Sequence, residues 1–161
     1  MIHAKIRAAL LTFDTLTALV GQNDKFDDVS DRYVIRPGRL FENDPYPGVA
    51  FRLPSIPVEG DLSGRGGFAQ AVLEVAAITF DLDQAWQIAQ AICWNGGEPD
   101  DVSRVLSGLD GYRNFSGNGL QAIKLTGFLE DQIDPVDKSD RLLWVVQASF
   151  SVAFDLGIGI V

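Results

Sequence analysis

Residues 142–156 read Leu-Leu-Trp-Val-Val-Gln-Ala-Ser-Phe-Ser-Val-Ala-Phe-Asp-Leu, and the fold is decided by this stretch. Leu142, Trp144, Val146, Ala148, Phe150, Val152, Phe154 and Leu156 recur with period two, against Gln147, Ser149, Ser151 and Asp155. Successive side chains of a strand point to opposite faces, so the pattern is a β-strand with one apolar face, and a slip of one residue would expose the whole set. Upstream, residues 120–131 make a second long strand carrying Ile123, Leu125 and Leu129 on one face, joined to the last as a hairpin through the polar turn 134–140. Residues 68–80 alternate too, but both parities are largely apolar: Phe68, Gln70, Val72, Glu74, Ala76, Ile78 and Phe80 against Ala69, Ala71, Leu73, Val75 and Ala77. Such a strand is central, or covered on two sides.

Helical spacing flanks these strands. Ala85, Ile88, Ala89 and Ile92 stand at i, i+3, i+4 and i+7, preceded by Asp81 or Asp83 as a cap and followed by Asn95-Gly96-Gly97 as a stop. Ile2, Ile6, Ala9, Leu10, Phe13 and Leu16 form one stripe of an opening helix that carries Lys5, Arg7 and Thr12 on its other side and stops at Gly21. The acidic run 22–31 reads as a surface loop. Tyr33-Val34-Ile35 is a short strand ending at the turn Arg36-Pro37-Gly38, and Val49, Phe51 and Leu53 give another strand. Residues 54–67, with Pro54, Pro57 and the glycines of 59–67, read as a long mobile loop. A short helix over 101–106 and a glycine-studded stretch over 107–119 complete the chain. Runs of this kind predict one α+β domain over residues 1–161, a mixed or antiparallel sheet with helices packed on one face.

Composition narrows the function classes. Thirteen Lys and Arg against 22 Asp and Glu leave a net charge of −9, the opposite of the basic footprint that grips nucleic-acid phosphates. The longest apolar runs, 75–78 and 142–146, fall far short of the ~20 residues of a membrane span. The start of the chain lacks the apolar core of a secretory signal, and a single cysteine, Cys93, fits a reducing compartment and a place in the core.

Catalytic equipment is sparse. His3 is the only histidine and lies at the N-terminus, where fraying is expected, so a nucleophile has no well-placed imidazole base. One His and one Cys do not suit zinc, and no metal or cofactor site is expected. The pairs Asp27/Asp28, Asp81/Asp83 and Asp100/Asp101 lack the calcium-loop spacing and read as helix caps and solvated loops. Gly64-Arg65-Gly66-Gly67 precedes a strand and lacks the lysine and helix of a phosphate loop. Arg32, Arg36, Arg39, Arg52 and Arg65 are surface arginines beside Asp31, Glu42, Asp44 and Asp61, with ion pairing across a subunit contact as the sharper alternative. Trp86, Trp94 and Trp144 lie on or beside the apolar stripes and read as buried packing.

Three segments carry a family likeness when taken in order: the opening helix ending in Leu16-Thr17-Ala18-Leu19-Val20-Gly21, then Tyr33-Val34-Ile35-Arg36-Pro37-Gly38, then Asn43-Asp44-Pro45-Tyr46-Pro47-Gly48-Val49-Ala50-Phe51. With the strand 68–80, the helix 83–92 and the closing Phe150-Ser151-Val152-Ala153-Phe154, the sequence resembles the phage tail completion or tail terminator family over nearly its whole length. The sections 22–31 and 95–119 are longer than in shorter members. The resemblance implies a non-enzymatic subunit that assembles as a homo-oligomer, commonly a hexameric ring. That ring caps the head-proximal end of the tail tube protein and receives a head-tail connector or stopper protein, with DNA only passing through its lumen. It also implies a place in the virion at the head–tail junction, after assembly in a bacterial cytoplasm, in a phage or a phage-derived particle such as a gene transfer agent. By that analogy the interface with a neighbour or the tube lies at the 54–67 loop, with Arg52, Glu59, Asp61, Arg65 and Phe68 as its residues. Two other readings stand beside it: a head-tail adaptor or minor tail protein, and a small enzyme working through acidic residues.

Overall fold

In a computed structural model, the residues described are 2–55, 58–60, 67–95, 108–112, 120–134 and 141–155. The elements run α1 (Ile2–Leu11), α2 (Asp14–Leu19), α3 (Val29–Arg32), β1 (Ile35–Pro37), β2 (Gly48–Ser55), β3 (Val58–Gly60), β4 (Gly67–Thr79), α4 (Leu82–Trp94), β5 (Leu120–Ile133) and β6 (Leu143–Asp155). The six strands form one sheet in the order β1-β2-β4-β6-β5, with β3 also pairing β4. Only β1 and β2 are parallel; the other pairings are antiparallel. The sheet is therefore mixed, as the α+β reading expects.

The strand 68–80 is indeed central, lying between β2 and β6. Its odd residues Ala71, Leu73, Val75 and Ala77 face the core with Ala148, Phe150 and Val152 of β6. The helices lie over that face: Ile88 and Ile92 of α4, Ile6 and Leu10 of α1 and Leu16 of α2 close the same cluster. Asp81 is the N-cap of α4, accepting from the Gln84 amide, and Asn95 ends the helix in the left-handed conformation at φ 45°. Asn95 also works at a distance. Its Oδ1 accepts from the Thr15 amide at 3.1 Å, which supplies a cap that Phe13, the N-cap residue of α2, has no polar side chain to give.

Four sequence expectations shift, each for a local reason. All six residues of the opening stripe are buried, but the helix breaks after Leu11, where the Thr12 hydroxyl turns back to the Ala9 carbonyl at 2.6 Å and Phe13 is extended. The first strand lies at 35–37 rather than 33–35, and Gly38 makes the following turn at φ +83°. Part of the expected 54–67 loop is strand, because β3 pairs with the start of β4. In β5 the register slips between Leu125 and Gly127. That bulge reverses the parity, so Phe128 joins the helix side against Trp86 at 5.4 Å while Leu129 turns to the other face.

The acidic section 22–31 is tied down by a buried ion pair. Arg36 donates to both Asp44 oxygens at 3.0 Å, and its guanidinium lies 4.7 and 4.8 Å from the Phe26 and Phe41 ring centres. Asp44 also accepts from the Asn23 side chain and the Phe41 amide. Burial alone would raise the Asp44 carboxyl, but these hydrogen bonds outweigh it and hold it below its ordinary value. Arg36, read as a surface arginine, is thus a structural one.

Candidate assembly surface

The opposite face of the sheet is where the chain differs from a closed two-layer domain. Residues one step out of phase with the core point there: Ala50 and Arg52 on β2, Val72, Glu74, Ala76 and Ile78 on β4, Val145 and Gln147 on β6, and, beyond the bulge, Leu129 and Ile133 on β5. No described helix covers them. Val72 is 43% exposed, Leu129 56% and Ile133 48%. The three lie apart, level with Ser151, Gln147 and Leu143 of β6, so the candidate interaction surface is the groove on this face and not one continuous exposed patch.

A groove of about 440 Å³ is sunk into this face, floored by Ala76, Ile78 and Val145 and walled by Leu143 and Ile133 on one side and the loop carrying Leu40 and Tyr46 on the other. The loop wall is built from the residues just described, because Arg36 and Asp44 fix both ends of the 36–44 section. Gly48 completes it: a Cβ there would stand 2.8 Å from Leu40 and Val34 side-chain atoms, so only glycine lets Leu40 lie across the start of β2. At the rim Tyr46 packs edge-on against Phe80, and the Arg141 guanidinium lies 4.5 Å over the same ring. The lining is mainly apolar, with Arg39 and the Arg52–Glu74 ion pair as its charged groups.

The five residues assigned from the sequence fall as follows. Arg52 is on the open face, its side chain 63% exposed and paired with Glu74 across the strand. Glu59 and Phe68 are register partners where β3 meets β4. Glu74 and Phe68 are six residues apart on β4, about 20 Å at the rise of a strand, so Arg52 and the Glu59–Phe68 pair are separate places on the sheet. Asp61 and Arg65 lie outside the described residues, as do Asp100 and Asp101. The groove residues Ala76, Ile78, Leu143 and Val145 were not assigned. For Ala76 and Ile78 the signal is the second apolar parity of 68–80, which reads as a central strand or one covered on two sides; Leu143 and Val145 stand on the parity of the last strand opposite its apolar face.

Groups with chemical potential are occupied in packing. Cys93 is fully buried, and burial, then the nearby Asp110, pushes its thiol far above its ordinary value. His3 stands in α1 with its ring 6.3 Å from that of Phe51. Asp28 caps α3, and the Ser30 hydroxyl and amide that donate to it hold its carboxyl below the usual range. Trp86 and Trp94 are partly buried, their indole N–H groups donating to Glu130 and Asp110. Among the described residues no three of His, Cys, Asp and Glu are grouped to hold a metal ion.

No protein-family model and no curated protein matches the sequence. The fold has a structural counterpart. A chain from the virion of a native gene transfer agent particle superposes with a TM-score of 0.50 at 16% identity, over 96% of this chain and 97% of that one. At that identity the likeness is one of fold, and it runs over nearly the full length of both chains.

Proposed function

We propose that this chain is a structural virion subunit of a phage-like particle, a tail terminator that forms a ring on the head-proximal end of the tail tube and helps join the tail to a head connector. The observation that carries the reading is the open apolar face on a subunit whose fold runs end to end with that of a gene transfer agent virion chain. Among the described residues nothing lies over Val72, Leu129 and Ile133, which leaves this face available to a neighbour, as a ring subunit requires. The net charge of −9 suits a lumen through which DNA passes without sticking, by like-charge repulsion. On this reading the partners are further copies of the chain, the tube protein and the connector or stopper, and no residue has a catalytic role. The 54–67 section, with Glu59, Asp61, Arg65 and Phe68, is a second contact, made with the neighbour or the tube, while Arg52 belongs to the groove contact.

Light scattering across a range of protein concentrations, with negative-stain images of any large species, tests the reading. Rings with an open lumen, alone or on purified tubes, are the expected result. A chain that stays monomeric and is not retained by tube protein overturns it.

A further inference from the structure

The groove needs an occupant, and the sequence beyond β6 supplies one of matching chemistry. Residues 156–161 read Leu-Gly-Ile-Gly-Ile-Val: apolar side chains at 156, 158 and 160 alternate with glycine, and none is polar. In an extended chain this places Leu156, Ile158 and Ile160 on one side and Gly157, Gly159 and Val161 on the other, a thin apolar strip that fits a slot lined by Ala76, Ile78, Leu143 and Val145.

Reach decides whose groove it enters. The groove begins level with Glu74, whose partner on β6 is Ser149, six residues or about 20 Å back from Asp155. Ile158 can lie at most about 10 Å from Asp155 and Ile160 about 18 Å, even with no residue spent on reversing direction. The floor at Val145 is ten residues back, about 33 Å. A subunit's own 156–161 segment therefore cannot fill its own groove, but that of a second copy can. Because donor and acceptor sit at opposite ends of β6, the contact is head-to-tail, the type that propagates around a ring. We infer that residues 156–161 of one subunit dock in the open-face groove of the next. The inference deepens the ring reading above and rests on it.

Single cysteines report this directly, since Cys93 is buried. Full-length Ile158→Cys is mixed with full-length Ala76→Cys and oxidised mildly. A mixed disulfide dimer is expected, well above the yield with Val29→Cys, a partner exposed on α3 away from the groove. Deleting residues 156–161 is expected to weaken self-association by at least about tenfold, the scale of a buried aliphatic side chain or two, with an unchanged circular dichroism spectrum. Mixed dimer at only the Val29→Cys level overturns the inference. So does a deleted chain that still forms rings, which leaves the ring reading standing; a parent chain that never assembles, alone or with tubes, overturns both.

Discussion

On β4, Leu73, Val75 and Ala77 lie under α4 and the opening helices and are fully buried, while Val72, Glu74, Ala76 and Ile78, one residue out of step, have no described layer over them. The two faces are nearly equal in apolar content but not in cover. A core face is apolar because the subunit must fold; a second apolar face adds nothing to folding unless something else covers it. Apolar alternation alone thus reports burial somewhere, and the topology says whether that burial is within the subunit or between subunits.

The sharpest contrast is between Phe150 and Val145, on opposite faces of the same strand. Phe150→Ala, which empties the core, is expected to cost about 3–5 kcal/mol of stability in urea unfolding. An effect below about 1 kcal/mol would break the distinction between the faces. The groove wall comes next. Asp44→Ala leaves Arg36 buried without its carboxylate and is expected to cost about 3–5 kcal/mol. The Asp44 carboxyl is lowered in the fold, so its contribution is fully present above the ordinary carboxylate value of 3.8 and is lost as pH falls through the folded value. Acid titration of parent and Asp44→Ala should therefore show a stability gap at about pH 6 that narrows as pH falls below the ordinary carboxylate value of 3.8. A gap independent of pH would remove the ion pair from the account.

Smaller effects follow at the helix junction. Asn95→Ala loses both the left-handed C-cap and the bond to Thr15, with an expected cost of about 1–2 kcal/mol, and Asn95→Gly should recover the part that belongs to the backbone. The smallest stability change is expected on the open face, where Val145→Asp should cost about 1 kcal/mol or less.

Much of this was legible in the sequence, and what was not has identifiable causes. The stripe from Ile2 to Leu16, the Asp81 cap, the Asn95 stop and the alternation of β6 follow from periodicities of 3.6 and 2 that burial enforces. Leu129 was misassigned because a bulge adds one residue without changing the composition, and Gly127 beside it was the only hint. Arg36 looked like a surface residue because its burial depends on Asn23, Phe26, Phe41 and Asp44, which the fold alone brings together. The groove was half visible: the second apolar face of 68–80 was noted, but whether a helix covers it is a question of topology.

Whether the open face is an assembly surface is decided by sedimentation velocity on the parent chain and Val145→Asp over the same concentration range. The parent is expected to form a discrete large species and Val145→Asp to remain at monomer mass, with unfolding midpoints of the two chains close together. Equal assembly by both chains would contradict it.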